Sequence, residues 1–368
     1  MTTTAHGPIP IELKPTSRPM PSAEREAVLA APGFGQHFTD HMVVIDWEPD
    51  RGWFDGELRP YGPLQTDPAT SVLHYAQSIF EGYKAYRQPD GSIATFRPDA
   101  NGRRMQRSAQ RMALPELPVE TFVAAGDALV RTDSDWVPRE QGKSLYLRPF
   151  MYASEVFLGV RPARHVTFCV IASPAASYFS GGVKPVSIWV SEEYSRAAPG
   201  GTGGAKCAGN YAASLIAQQE AIENGCEQVV FLDAVERRWV EELGGMNIFF
   251  VRADGSLVTP PTSGSILAGI TRDSVIELAK AAGRRVEERP VSLDEWRDSV
   301  ASGAFTEVFA CGTAAVLTPI GRLSWRGGEI DCAASGEEGP VTHELRETLV
   351  GIQTGTVSDD HGWLHRVS

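Results

Sequence analysis

The sequence contains no long apolar run and no cluster of basic residues. No apolar stretch among its 368 residues approaches the roughly 20 residues of a membrane span, and the first residues lack the basic and apolar segments of a secretory signal. With 34 basic against 46 acidic residues, the net charge of -12 argues against a nucleic-acid-binding surface. We therefore expect a soluble, cytoplasmic protein that acts on small molecules.

Cysteine is also scarce. The five cysteines are odd in number, widely spaced and without the short intervals of a metal site: Cys169, Cys207, Cys226, Cys311 and Cys332. We expect reduced thiols and no bound metal.

Length and composition indicate two domains. A hydrophobic content of 42% and a charged content of 22% are ordinary for globular proteins, and 368 residues exceed one typical domain. Strand-like and helical patterns alternate over residues 1–172, which open with an irregular arm of about 30 residues. Small residues, two prolines and a glycine pair over 173–185 are typical of an interdomain loop, and 186–368 is rich in strands. The predicted fold class is α/β (α+β), with a small N-terminal and a large C-terminal domain.

Turn and cap residues locate several elements. Asp90-Gly91 and Asp254-Gly255 each predict a β-hairpin. Thr271 predicts the start of a helix that ends at Gly283, and Ser292 with Glu295 predicts a capping box. Further helical patterns lie near residues 99–112, 118–132 and 341–353.

Lys206 is the most informative single residue. It follows a run of glycines and small residues, 200–205, on which a lysine can lose its hydration, and desolvation frees the amine as a nucleophile or base. A phosphate-binding loop is excluded, because Ala205 and Cys207 replace the glycine and the Ser or Thr that such a loop needs. An ordinary surface lysine is the remaining alternative.

The residues after Lys206 carry two further patterns. Asn210 predicts a helix cap, with Ala212, Leu215, Ile216 and Ile222 as the buried stripe of the helix. A hydrophobic strand, 229–232, is followed by Glu241 and Glu242 at the entry of another strand. Because neighbours on a strand point to opposite faces, we expect only one of these two carboxylates to face the interior.

Many short motifs together resemble a known family, the fold-type IV pyridoxal-phosphate enzymes, and within it the larger, mitochondrial-like subgroup of branched-chain amino acid aminotransferases. The resemblance covers nearly the whole chain. The motifs that carry it are Phe34-Gly35, Leu73-His74-Tyr75, Phe80-Glu81-Gly82, Phe96-Arg97-Pro98, Leu145 to Pro149, Tyr178 to Gly182, Lys206 with Gly209-Asn210-Tyr211, Glu242 to Asn247 and Gly312-Thr313-Ala314.

The resemblance implies a cofactor, pyridoxal 5'-phosphate, and assigns residues to it. Lys206 resembles the lysine that forms the Schiff base and moves a proton in catalysis, and Glu242 resembles the carboxylate at the pyridine nitrogen. Tyr211 matches the donor to the ring oxygen. The phosphate is expected at Arg104, Ile270, Thr271 and Thr313, although Arg103, Arg107 and Arg111 lie beside Arg104.

The resemblance also implies a substrate pocket and a homodimer. Phe34, Phe80, Tyr146 and Tyr178 match an aromatic wall for leucine, isoleucine and valine. Tyr75, Tyr146 and Arg148 are expected to admit the carboxylate of the glutamate-like partner, and Ala314 and Ala315 also line the pocket.

Two alternatives remain open beside the aminotransferase that converts these amino acids and 2-oxoglutarate into branched 2-oxo acids and glutamate. A D-amino acid aminotransferase or an aminodeoxychorismate lyase of the same fold would keep Lys206 and Glu242 but not the context of Tyr75, Phe80 and Arg148. A noncatalytic phosphate-binding protein would have lost the lysine or the acid, and neither is lost.

Vertebrate mitochondrial relatives carry a Cys-x-x-Cys pair in the loop that corresponds to Gly312–Thr318. Here Ala315 and Thr318 occupy those two places. A thiol switch needs a thiolate and a resolving partner, so we expect no oxidative regulation at this loop, and a buried, inert thiol at Cys311.

Overall fold

The protein's structure, a computed structural model, describes residues 7–140, 142–176, 183–333 and 337–367. The described residues divide into two compact units. Unit 1 is drawn from Met1–Tyr178, Ala205–Ala208 and Ile352–Ser368, and unit 2 from Phe179–Gly204 and Gly209–Gly351. The sequence prediction placed 205–208 and 352–368 in the second domain. Sequence patterns locate contiguous segments, whereas these two segments return to unit 1 through tertiary packing.

Unit 1 is built on one mixed sheet. The strand order is β1-β3-β2-β8-β7-β5-β6-β18, and β4 pairs with β7. The strands are β1 (Ile11–Leu13), β2 (His41–Glu48), β3 (Gly52–Pro60), β4 (Ser78–Phe80), β5 (Tyr83–Arg87), β6 (Ile93–Phe96), β7 (Ser144–Ala153), β8 (Val166–Ala175) and β18 (Leu364–Arg366). The predicted Asp90-Gly91 hairpin is confirmed, because β5 and β6 pair antiparallel around it.

Helices cover one face of this sheet. Met105 and Ala109 of one helix and Phe122, Ala125 and Leu129 of the next are buried in the same core as the inward side chains of β2, β7 and β8. The helices of unit 1 are α1 (Ser22–Ala30), α2 (Val72–Tyr75), α3 (Pro98–Arg111), α4 (Val119–Thr132) and the 3₁₀ helix η1 (Ser134–Trp136). The two central helices confirm the helical patterns predicted near 99–112 and 118–132.

The N-terminal arm is more ordered than its composition predicts. It contains β1 and α1, and two side chains at the start of β2 hold it: Thr16 N–H donates to His41 Nε2 at 2.9 Å, and Met20 N–H donates to Asp40 Oδ1 at 2.8 Å. The prediction of an irregular arm was therefore wrong. Its ordering depends on partners 20 or more positions away in the sequence, which no local pattern reveals.

The predicted interdomain loop, 173–185, also begins too early. Residues up to Ala175 extend β8, and Ser173 pairs with Tyr146 in the ladder between β8 and β7. Residues 177–182 lie outside the described ranges. Pro174 is compatible with the strand because only some of a strand's N–H groups take part in a given ladder.

Unit 2 is built on a second sheet, in the order β11-β10-β9-β16-β15-β12-β13-β14, with β17 paired to β16. Its strands are β9 (Val186–Ser191), β10 (Gln228–Leu232), β11 (Val240–Leu243), β12 (Asn247–Arg252), β13 (Leu257–Thr259), β14 (Val286–Glu288), β15 (Phe305–Gly312), β16 (Val316–Trp325) and β17 (Gly328–Asp331). β12 and β13 confirm the hairpin predicted at Asp254-Gly255.

Both faces of this second sheet are covered, which explains its continuous apolar strands. Ile188 and Val230 lie in one core cluster with Trp296, whereas Trp189 and Val229 lie in another with Ala217. The helices of unit 2 are α5 (Ala208–Ala212), α6 (Leu215–Glu223), α7 (Ile270–Ala281), α8 (Leu293–Ser302) and most of α9 (Pro340–Thr354). No helix in the described ranges combines the length and the apolar character needed to cross a bilayer.

The observed helix ends largely agree with the capping residues predicted from the sequence. Ser292 accepts from Glu295 N–H at 3.0 Å, as the capping box predicts, but the Glu295 side chain pairs with Arg289 instead of closing the box. α9 buries its apolar residues Val341, Leu345, Leu349 and Ile352, and Gly283 follows α7 with a left-handed φ of 75°. α7 begins one residue before Thr271, with Gly269 as its N-cap.

The helix predicted after Asn210 differs most from expectation. Asn210 lies inside α5, where its side chain bonds to Thr202, and α6 starts separately after Ser214. Leu215 and Ile222 are exposed, whereas the alanines Ala217 and Ala221 are buried. The predicted stripe was wrong because the sheet beneath α6 presents large side chains such as Trp189 and Phe231, which leave room only for small helix residues.

Candidate active site

Lys206 lies in a short segment that packs into unit 1. Its neighbours Ala205 and Cys207 are buried in the unit 1 core, and Lys206 itself is half-buried. Its N–H donates to Ser108 Oγ and its carbonyl accepts from Phe80 N–H, both at 3.0 Å. The small residues beside the lysine therefore let its backbone enter the core, where α3 and β4 hold it.

Three of the predicted substrate residues of unit 1 lie near this lysine, and a fourth adjoins them. Lys206 Nζ is 4.7 Å from the centroid of the Phe80 ring, and the Arg148 guanidinium is 4.8 Å from the same centroid. Arg148 Nη2 donates to Tyr146 Oη at 3.1 Å, and the Tyr146 ring contacts Phe34 edge to face at 5.1 Å. The cluster combines apolar rings with a guanidinium and a hydroxyl.

Gly82 leaves the space that the Tyr146 side chain occupies. A Cβ atom added to Gly82 would overlap the Tyr146 hydroxyl and come within 2.7 Å of its Cζ atom. The glycine in Phe80-Glu81-Gly82 is therefore a site of close approach, where no larger residue fits without displacing the tyrosine.

Arg104 is the buried arginine of α3. Arg103, Arg107 and Arg111 are exposed, so burial separates Arg104 from the neighbours that obscured it in the sequence. Its Nε and Nη2 atoms lie 2.7 and 2.8 Å from the two carboxylate oxygens of Glu81, which is fully buried. Ser108, four residues on along the same helix face, bonds the Lys206 backbone. α3 thus ties Arg104 to the lysine segment.

Tyr75 and Tyr178, which were also predicted to bind the substrate, are not described as part of this cluster. Tyr75 is exposed, and its hydroxyl donates to the carbonyl of Leu158, whose side chain is also exposed. Tyr178 lies outside the described residues.

In unit 2, Glu242 is a buried carboxylate with several partners. It forms an ion pair with Arg196, which is also buried, and its Oε1 accepts from Leu267 N–H at 2.9 Å. Asn247 Nδ2 is 3.5 Å from Oε2 and donates to the Leu267 carbonyl at 3.0 Å. The geometry presents a carboxylate that is held in place and balanced by a guanidinium.

Glu241 is buried as well, so the expectation that only one of the two carboxylates faces the interior was wrong. Val230 pairs with Leu243 and Leu232 with Val240, so β11 has two residues, Glu241 and Glu242, opposite the single Phe231. This is a β-bulge, which breaks the alternation of a regular strand and re-aims side chains.

The other predicted cofactor residues of unit 2 lie near the segment after Glu242. Tyr211 packs against Gly245, and Gly312, just before Thr313, packs against Met246. Gly269 lies directly against the Asn247 side chain and is the N-cap of α7, whose first residues are Ile270 and Thr271. Thr313, Ala314 and the buried Ala315 form the turn between β15 and β16.

Sequence reasoning missed three polar residues of these clusters: Ser108, Arg196 and Asn247. Asn247 ends the motif that begins at Glu242, but only its contacts with Leu267 and Glu242 reveal a role. Arg196 stands ten residues before Lys206 in an irregular segment with no periodicity. A buried carboxylate such as Glu242 needs a cation nearby. That requirement is the one signal in the sequence that could have predicted a buried arginine such as Arg196.

Comparison with known proteins places this geometry in a family. Residues 78–323 match the model of amino-transferase class IV. The probable branched-chain-amino-acid aminotransferase of Streptomyces coelicolor is 60% identical, with 97% of this chain and 99% of that protein covered. The branched-chain-amino-acid aminotransferase of Mycolicibacterium smegmatis is 55% identical, with 98% and 99% covered.

Solved structures agree. The Escherichia coli branched-chain amino acid aminotransferase superposes with a TM-score of 0.75 at 30% identity, covering 89% of this chain and 99% of that one. The branched-chain amino acid aminotransferase of Thermobaculum terrenum in its PLP-form gives 0.71 at 26% identity, covering 90% and 100%. The mixed α/β architecture predicted from the sequence is thereby confirmed, and the chain belongs to the branched-chain-amino-acid aminotransferases of the class IV aminotransferase family.

Proposed function

We propose that this chain uses pyridoxal 5'-phosphate to transfer amino groups reversibly between leucine, isoleucine or valine and 2-oxoglutarate, with Lys206 as its catalytic residue. The observation that carries the proposal is the position of Lys206 Nζ beside Phe80, in one cluster with Tyr146 and Arg148. That cluster offers an amine, an apolar wall and a guanidinium, which are the groups that such substrates require.

The residues present fit the cofactor. When bound, pyridoxal phosphate carries the amino group and withdraws electrons from the substrate Cα atom. The start of α7, whose N-cap Gly269 has no side chain, presents the N–H groups of Ile270 and Thr271, which suit a phosphate. Glu242 would accept a hydrogen bond from the pyridine nitrogen, and its ion pair with Arg196 balances its negative charge.

The remaining assignments follow the same chemistry. Tyr211 would donate to the ring oxygen, and Thr313 would donate to the phosphate. Arg104 would add positive charge near the phosphate while Glu81 fixes its orientation. The Lys206 amine would hold the aldehyde of the cofactor at rest and move the proton at the substrate Cα atom during turnover.

One surface with both apolar and polar groups would bind the two kinds of substrate, the branched aliphatic amino acids and the dicarboxylates. Phe34, Phe80 and the Tyr146 ring would bind a branched aliphatic side chain, because a polar group there would lose its hydration without a partner. Arg148 and the Tyr146 hydroxyl would bind the distal carboxylate of 2-oxoglutarate or glutamate.

Amino transfer tests the proposal. Purified protein is supplied with leucine, isoleucine or valine and 2-oxoglutarate, and glutamate formation is measured, with D-alanine as donor to test the D-amino acid alternative. Lys206→Ala should lose the absorbance of the lysine-linked cofactor and several orders of magnitude in turnover. Lys280→Ala, which removes an exposed lysine paired with Glu277, is the matched control. Near-normal turnover in Lys206→Ala would end the proposal.

We also propose that the enzyme works as a homodimer in the cytoplasm. An apolar surface of unit 1 supports the dimer; its exposed residues are Leu73, Tyr75, Val156, Phe157, Leu158 and Val160. The surface is ordered, because Ser71 Oγ donates to the carbonyls of Glu155 and Phe157. The five buried free cysteines fit a reducing compartment.

A further inference from the structure

The β-bulge in β11 sets a second buried carboxylate, Glu241, directly beside Glu242. One oxygen of Glu241 accepts from Ser265 Oγ, and the other is buried without a hydrogen-bond partner among the described residues. Burial raises the pKa of the Glu241 carboxyl, and the Ser265 hydrogen bond and the Arg196 charge offset part of that effect. Burying a carboxyl oxygen without a hydrogen bond is energetically unfavourable, and such groups are rare in native structures, so the position of Glu241 needs an explanation.

Ser265 belongs to a loop that also holds Glu242. Over 263–267, the Ser265 carbonyl accepts from Arg196 Nη2 at 2.6 Å, and Leu267 N–H donates to Glu242 at 2.9 Å. The Gly264 carbonyl accepts from Gly204 N–H at 2.8 Å. The loop therefore places two immediate partners of Glu242: it supplies the Leu267 N–H itself and it orients the Arg196 guanidinium.

Glu241 is the residue of the bulge that bonds the Ser265 hydroxyl. Ser263 Oγ lies 2.9 Å from Ser265 Oγ, so Glu241 anchors a short chain of hydroxyls along the loop. Gly203 allows the loop to approach, because a Cβ atom there would overlap the backbone of Ser265. Removing the Glu241 carboxyl would take away this acceptor and release the anchor.

We propose that Glu241 is a positioning residue, which holds the 263–267 loop so that Leu267 and Arg196 fix the Glu242 carboxylate in its orientation toward the cofactor. The inference rests on the proposed role of Glu242. It assigns the two adjacent glutamates different tasks, one that contacts the cofactor and one that acts through the loop.

Five variants and a control test this role. Glu241→Ala and Ser265→Ala should each lower turnover and weaken pyridoxal-phosphate binding to the cofactor-free protein by about ten-fold, the size of coupling expected within one hydrogen-bond network. Glu241→Gln keeps a carbonyl oxygen that accepts from Ser265, so it should restore most of the loss. In Glu242→Gln protein, adding Glu241→Ala should change turnover by less than about two-fold.

Glu307→Ala is the matched control for a merely structural effect. Glu307 is a buried glutamate of the same unit, and its carboxylate binds Val341 N–H and Thr342 N–H at the start of α9. Its loss should lower the melting temperature without changing the affinity for the cofactor. If Glu241→Ala behaves like Glu307→Ala, or if its effect adds fully to that of Glu242→Gln, the positioning role is wrong.

If Glu241→Ala fails to fold, Ser265→Ala still tests the proposal. That variant removes only one hydroxyl, and it must show the same loss of cofactor affinity. Cofactor titration is read on the cofactor-free protein by its visible absorbance. The titration therefore tests the role of Glu241 independently of amino transfer. A wild-type protein that transferred no amino group would overturn the proposed function, not the role of Glu241.

Discussion

The charge of Glu242 is the residue-scale feature with the clearest consequence for catalysis. Glu242→Gln should still bind the cofactor, with an affinity lower by about ten-fold, and should slow removal of the Cα proton by about ten- to hundred-fold, because one charge-assisted hydrogen bond is weakened. The check is turnover with ordinary and Cα-deuterated leucine, since the isotope effect should increase. Glu241→Gln should lie much closer to the wild type, and the opposite ranking would reverse the two assignments.

Gly82 gives a second prediction at this scale. Gly82→Ala should destabilise the protein by about 1 to 3 kcal/mol, because the new methyl group overlaps the Tyr146 hydroxyl. It should also raise KM for 2-oxoglutarate more than KM for leucine, since that hydroxyl accompanies Arg148. The measurements are thermal unfolding and steady-state kinetics.

Gly62→Ala is the matched control, because a Cβ atom there meets nothing within 4 Å. Combining Gly82→Ala with Tyr146→Phe should recover part of the stability but not the affinity for 2-oxoglutarate. Equal stability of the Gly82 and Gly62 variants would show that Tyr146 does not need the glycine.

The scale of elements shows which features a sequence can predict. Helices α3, α4 and α9 and both hairpins follow from local periodicity and turn residues, because their signals lie within a few positions. The bulge in β11 and the arm before β2 do not, since the bulge depends on the register with β10 and the arm depends on partners outside its own segment. For the same reason the motifs predicted Lys206 and Glu242, whereas Arg196 and the task of Ser265 emerged only from contacts.

The turn between β15 and β16 carries a prediction about oxidation. Burial raises the pKa of the Cys311 thiol to about 12, so it stays protonated at neutral pH, and Ala315 and Thr318 provide no resolving thiol. Peroxide at concentrations that oxidise exposed thiols should leave amino transfer unchanged. The assay is activity after peroxide and again after dithiothreitol. A reversible loss that disappears in Cys311→Ala would contradict this expectation.

At the scale of the whole molecule, the apolar surface of unit 1 predicts the oligomeric state. Val160 is 85% exposed within that surface, and Val160→Asp should shift the protein from dimer to monomer, because a charge would be buried in the interface. Val235, 73% exposed in unit 2, is the matched control, and Val235→Asp should remain dimeric. Light scattering after gel filtration decides the outcome. A monomeric wild type, or dissociation of both variants, would remove this surface as the interface.

The return of residues 352–368 to unit 1 has a consequence for how the protein is made. β18 pairs with β6, and His365 contacts Asp127 of α4, so this sheet lacks its last strand until residue 366 leaves the ribosome. About 190 residues separate that point from the end of β8, which at ribosomal speeds is on the order of 10 to 40 seconds. Throughout that interval β6 is an open edge that can pair with other nascent chains. The yield of native enzyme should therefore depend on translation rate and on chaperones that cover newly made strands.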